Sequence, residues 1–210
     1  MAISNFGELK TAVANWLSDD NLTSRIVEFI ALAEFRVFAE PKIRVRQLEA
    51  TSNVTITKDT QTTALPTRFL RTRRLYLDGT PNSHLKFLSP ENFWKRNLST
   101  VVGKPKFYTV EAENFTWGPI PDAAYTGKSL HYAANAAMSS DSDAPALFAK
   151  MPQLFLYAAL LEAAPFLGDD PRLLTWASMY DDAIENLSAS DKKDRFPGGD
   201  KVVRTDVGPV

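Results

Sequence analysis

The chain contains no cysteine in 210 residues, which removes disulfides, thiolate nucleophiles and thiolate metal sites together. Its two histidines, His84 and His131, stand alone in β-like runs. No H-x-x-x-H, H-x-E or G-x-S-x-G pattern accompanies them, so metal-assisted or serine hydrolysis has no motif to rest on. An excess of one charge sign is also missing. The 24 Lys and Arg against 25 Asp and Glu leave a formal −1, which gives no global pull toward nucleic acid or acidic lipid. The longest apolar run, LFLYAALLEAAPFL (Leu154 to Leu167), is too short to span a bilayer and contains Glu162. The opening residues MAISNFGELK show neither the charged region nor the apolar region of a signal peptide. The expectation is a cytosolic product with no membrane anchor, no cofactor and no metal.

What is present is a change of period along the chain. Asn5 followed three residues later by Glu8 resembles a capping box, and Phe6, Leu9, Val13, Trp16 and Leu17 then share a helical face. A second helix is expected from about Thr23 to Ala39, with Ile26, Ile30, Ala33 and Val37 as its stripe, stopped by Pro41. From about Lys42 the pattern turns β-rich: NVTIT, FLRTRRLYL, HLKFL, FYTVE, NFTW and SLHYAA, with Asp78-Gly79 as a hairpin signal. One short helix interrupts, with Ser89 as cap and Pro90 at its first position. Helical period returns near Pro145. Leu154 to Leu167 is apolar nearly all round, so its own chain or a neighbour must cover it. A last helix starts at Asp169-Asp170-Pro171, with Leu173, Ala177, Tyr180, Ile184 and Leu187 as its seam and Trp176 and Met179 off it.

The expected fold class is α+β. N- and C-terminal helices (1–40 and 145–190) form a bundle, 41–144 is an inserted β-rich domain, and 191–210 is an extended C-terminal arm. The arm, DKKDRFPGGDKVVRTDVGPV, is charged and rich in Gly and Pro and has no period. Its candidate docking residues are Phe196, Val202 and Val203 as apolar anchors, with Lys201 and Arg204 for an acidic partner surface. Trp176, together with the Leu154 to Leu167 segment, is expected to close contacts between subunits.

Catalytic arrangements are scarce. TGKS (Thr126 to Ser129) lacks the earlier glycine of a phosphate-binding loop, since Asp122 stands there, and Lys128 lies in a strand-like run. The pairs Asp19-Asp20, Asp169-Asp170 and Asp181-Asp182 could supply two carboxylates for glycoside cleavage. Two of them sit where helices start, and the third falls on a solvent face. The one local charge feature is a basic cluster of Lys42, Arg44, Arg46, Arg68, Arg71, Arg73 and Arg74. A protein partner or neighbouring subunit fits it better than DNA, because arginine is frequent at interfaces. In a regular strand Arg71 and Arg73 share a face and Arg74 takes the other.

These runs, in order, carry a resemblance: FGELKTAVANWLSDDNLTSRIVEFIALAEFRV, RVRQLEA, LPTRFLRTRRLYLDG, HLKFLSPENF, GKPKFYTVEAENFTWGPIPD, LHYAANAAMSSDSDAPALF, and LFLYAALLEAAPFLGDDPRLLTWASMYDDAIENL. The chain resembles the phage head-to-tail adaptor family, the connector proteins under the portal of short-tailed phages. The resemblance implies a structural virion protein at the head–tail junction, not an enzyme. It implies about twelve copies in a ring built by one repeated heterologous interface. It also implies docking on the portal protein on one side and tail or nozzle proteins on the other, with DNA passing through the channel without sequence-specific binding. The competing readings are a virion-associated cell-wall hydrolase and a nucleic-acid-binding module using the arginine cluster.

Overall fold

The computed structural model describes residues 3–96, 98, 100–168 and 170–195. Among these the chain forms, in order, α1 (Phe6–Leu17), α2 (Ile26–Ala39), β1 (Glu49–Ile56), β2 (Thr62–Ala64), β3 (Phe69–Leu77), β4 (Ser83–His84), β5 (Lys86–Phe87) and α3 (Pro90–Lys95). There follow β6 (Phe107–Glu111), β7 (Asn114–Gly118), β8 (Tyr125–Ala133), α4 (Ala146–Lys150), α5 (Pro152–Glu162), α6 (Ala164–Leu167) and α7 (Arg172–Arg195). The architecture is α+β. The chain divides into two compact units, a helical one (1–45, 140–143 and 151–210) and a β unit (46–139 and 144–150).

In the helical unit the caps follow from residue chemistry. Asn5 accepts from the Glu8 N–H at 2.9 Å, and the Glu8 carboxylate accepts from the Ser4 N–H at 2.6 Å. The free N–H groups of the first turn are then met by the 140–143 segment: Phe6 donates to the Asp143 carbonyl and Gly7 to that of Asp141. Lys10 seals this join with a 2.6 Å pair to Asp141. α2 ends at Ala39, and Glu40 turns extended ahead of Pro41.

The apolar segment from Leu154 breaks at Ala163 into α5 and α6, because Pro165 cannot continue the ladder. Leu154, Phe155, Leu156, Ala158, Ala159 and Leu160 are all buried, and α1, α2 and α7 pack around α5. Each large side chain so buried stabilises the unit by about 1.5–3 kcal/mol. Its own chain thus covers α5, whereas α6 has no buried residue and leaves Phe166 47% exposed. Trp176, expected at a subunit contact, packs within its own chain. It is only 3% exposed, on the same face of α7 as Tyr180, Ala183, Ile184 and Leu187, with the Arg172 guanidinium 5.1 Å above its ring. Arg172 also donates to the Trp16 carbonyl at 3.0 Å, which ties the start of α7 to the end of α1. α7 continues to Arg195, through the residues expected to begin the arm. Asp191 is buried and holds Arg195 one turn on.

The β unit has two four-stranded sheets, ordered β1-β8-β3-β4 and β2-β7-β6-β5. All pairings are antiparallel except β5 with β6. Val54, Ile56, Leu75 and Leu77 from one sheet meet Tyr108, Phe115 and Trp117 from the other. The Trp117 indole N–H donates to Thr63 Oγ1 at 3.0 Å, which satisfies its one polar atom. The expected run HLKFL is split: Leu85 alone separates β4 from β5, and there the chain steps from one sheet to the other. The β3–β4 hairpin closes through a loop longer than a two-residue turn, with Leu77 opposite Ser83. Glycine is required at Gly118, where a Cβ would lie 2.8 Å from Phe93 and 2.9 Å from Leu98.

Candidate interaction surfaces

The titratable groups that chemistry could recruit lie apart. His84 is on β4 beside Tyr76, with ring centroids 5.8 Å apart. His131 is on the inner face of β8, 2% exposed, its Nδ1 3.2 Å from Ser129 Oγ. That distance suits a nucleophile and base, but both side chains are buried. Lys128 sits within β8 and pairs with Asp78 at 3.0 Å, so TGKS is strand. Asp19 caps a 3-10 turn by accepting from Asn21, Asp170 accepts from Arg172, and Asp181 and Asp182 are exposed on α7. Asp169 lies outside the described residues. Among the described residues, no group of three or more His, Asp or Glu is placed to hold a metal ion.

Burial pushes the His131 imidazole below its ordinary 6.5, since desolvation disfavours the charged form. The neutral ring is therefore the folded form. The stability it permits is complete above the unfolded value and is lost as pH falls below it. Melting curves of the wild type between pH 7 and pH 5 should show a decline that is smaller in a His131→Phe variant. The difference is bounded by about 1.4 kcal/mol per pH unit for one proton.

The basic cluster divides. Arg44 donates to the carbonyls of Phe38, Glu40 and Ile43 and closes the end of α2. Lys42 lies 3.9 Å from Glu185. The remaining arginines belong to the β unit. β3 is irregular at two places, between Phe69 and Arg71 and between Thr72 and Arg74. The second irregularity makes Arg73 the extra residue, and it pairs with Glu49. Arg71 and Arg74 then oppose Tyr132 and Leu130, two residues apart on β8 and so on one face, the outer one. The expectation that Arg74 takes the other face is corrected: it shares the outer face with Arg71, and Arg73 also reaches that side, to Glu49 opposite the same Tyr132. Arg74 lies 5.5 Å over the Tyr76 ring, and Arg71 has no ion pair among the described residues. With Thr51, Asn53, Lys128 and Leu130, Arg74 and Tyr76 line an open groove of about 440 Å³.

Two surfaces escaped the sequence reading. On α2 the stripe Ile26, Ile30, Ala33 and Val37 is buried as expected, yet the opposite side is also apolar. Val27, Leu32 and Phe35 are exposed, Phe35 by 76%, and Ala31 and Ala39 fill the i, i+4 series between and beyond them. The signal was available: IVEFIALAEFRVFA has apolar residues at 27, 31, 35 and 39 as well as along the buried stripe.

The second surface is electrical. The near-neutral total hides a segregation, because the β unit carries 13 Lys and Arg against 7 Asp and Glu, +6. The helical unit carries 11 against 18, −7. The absence of a global pull therefore does not extend to either unit taken alone. The segregation could be read only once the unit boundaries were known.

The docking candidates Phe196, Lys201, Val202, Val203 and Arg204 lie outside the described residues. Among the described residues, no helix is long and apolar enough to cross a membrane.

No curated protein matches the chain. The sequence model of the SU10 adaptor protein family matches residues 4–203, nearly its whole length, and so takes in both units and the segment through Val203. With this match spanning the helices, the sheets and the stretch beyond α7, the chain belongs to the SU10 adaptor protein family, a family of phage head–tail adaptors.

Proposed function

We propose that the protein is a structural subunit of a ring at the head–tail junction of the virion, set between the portal protein and tail or nozzle proteins around the channel through which DNA passes. The ring holds about twelve copies joined by one repeated heterologous contact. The observation that carries this reading is the exposed apolar side of α2. Val27, Leu32 and Phe35 line a helix whose other side is already packed, and a surface of this kind marks a protein contact. The subunit acts by shape and adhesion rather than by catalysis. The family is one of adaptors, and the one nucleophile–base distance described above is inside the β unit.

The test is native mass measurement of the chain alone and with the portal protein, together with electron cryo-microscopy of whole particles. A closed ring on the portal at a single vertex is the expected result. A stable two-fold dimer that does not bind portal would overturn the proposal.

A further inference from the structure

We propose that neighbouring copies are held together by opposite charge, the outer face of the β1-β8-β3 sheet in one copy resting on the exposed face of α7 in the next. The sheet face contributes Arg71 and Arg74, and α7 contributes Asp181, Asp182 and Glu185. The inference rests on the ring reading above and specifies how the ring is joined.

Four observations carry it. The two units are close to equal and opposite in charge, +6 and −7, so each neutralises the other when copies meet head to tail. Both faces are exposed in the single chain. On the sheet, Arg71 lacks an ion pair and Arg74 leans on an aromatic ring, so neither guanidinium is already spent on a carboxylate. On the helix, Asp181 and Asp182 make no ion pair among the described residues, and Glu185 has only the loose 3.9 Å approach of Lys42.

The spacings also agree. Arg71 and Arg74 oppose positions two residues apart on β8, about 6.7 Å along the strand. Asp181 and Glu185 are four residues apart on α7, about 6 Å along the helix and on one side of it.

A nucleic-acid backbone is the other polyanion that could meet these arginines. It leaves the acidic unit without a counterpart, and it would meet Glu49 beside Arg73 and Asp78 beside Lys128 on the same sheet. A second copy of this chain accounts for both faces.

The experiment compares three full-length proteins by sedimentation velocity: the wild type, Arg71→Glu/Arg74→Glu, and Asp181→Lys/Glu185→Lys. All four positions are exposed, so unchanged circular dichroism and melting temperature confirm folding in each variant. The wild type should self-associate at about 0.05 M salt and weaken about tenfold or more at about 0.5 M, where the Debye length shrinks to a few ångströms. Each variant alone should associate about tenfold or more weakly even at low salt. Mixed in equal amounts, the two should recover, because every junction in an alternating chain is then complementary again.

Wild-type protein that stays monomeric at low salt, or variants that associate as the wild type does, would overturn the inference. So would a mixture that fails to recover. If Arg71→Glu/Arg74→Glu keeps its self-association but loses binding to a short DNA duplex, the face belongs to nucleic acid instead. In each of these cases the adaptor reading still stands if the protein is found at the head–tail junction of particles. Its absence there would remove the adaptor reading itself.

Discussion

Phe35→Asp abolishes ring assembly while the subunit stays folded. Phe35 is 76% exposed, so the substitution removes almost no packing within the chain. A surface change of this kind moves folding stability by only about 0.5 kcal/mol. In the proposed ring the same side chain is covered. Losing the burial of a phenylalanine costs about 1.5–3 kcal/mol, and burying a carboxylate in its place adds a further desolvation cost of about 1–3 kcal/mol. The sum corresponds to about 100-fold or more in affinity at one junction. A closed ring repeats that junction between every pair of neighbours, so the losses multiply around the axis. Complementation of an adaptor-deficient phage should therefore yield heads without tails, and Phe35→Leu should restore particles. Normal particle yield from Phe35→Asp would show that this side of α2 faces solvent in the virion.

Deleting residues 196–210 leaves both units folded and removes attachment to the portal. The cut is placed after Arg195 because Asp191 is buried and paired with Arg195, so an earlier cut would strip the last turn of α7 and confuse unfolding with undocking. The deleted segment carries Phe196, Lys201, Val202, Val203 and Arg204, and the family match runs through the first four of these. Fully extended, its fifteen residues span at most about 50 Å, enough to cross onto a portal subunit or a neighbour. Fixing them costs about 1–2 kcal/mol per residue in backbone entropy, which sets the contact the anchors must supply. Co-sedimentation with the portal protein reads the outcome. Undiminished binding by the truncated chain would locate docking elsewhere, and a fall in melting temperature would mean that the segment supports the fold instead.

Local chemistry made much of this fold legible. Asn5 and Glu8 announced a capped helix, Pro41 ended the next one, and FYTVE fell wholly within β6, because each signal depends on residues adjacent in sequence. The failures depend on residues far apart. β2 was missed because its three residues gain order from pairing with β7, not from their own pattern. Arg71, Arg73 and Arg74 could be assigned alternate faces only by assuming a regular strand, and the irregularity that pairs Arg73 with Glu49 is settled by β1 and β8. An apolar segment also does not reveal who covers it. The α5 part of Leu154 to Leu167 and α2 look alike in composition, yet the chain surrounds the first and leaves one side of the second bare. The acidic residues of α7 read as a plain solvated face, since nothing local to them records that a basic unit lies elsewhere in the chain.

The division of charge between the two units has a consequence for how errors are rejected. Two copies that meet with β units facing, or with helical units facing, bring charges of one sign together, and such encounters part quickly. Only the unlike approach is drawn inward. In the proposed ring, the polarity of assembly would thus be checked at each collision, before any apolar side chain is buried. In that ring, an approach of like units would be turned away by the field they carry rather than by a misfit discovered later.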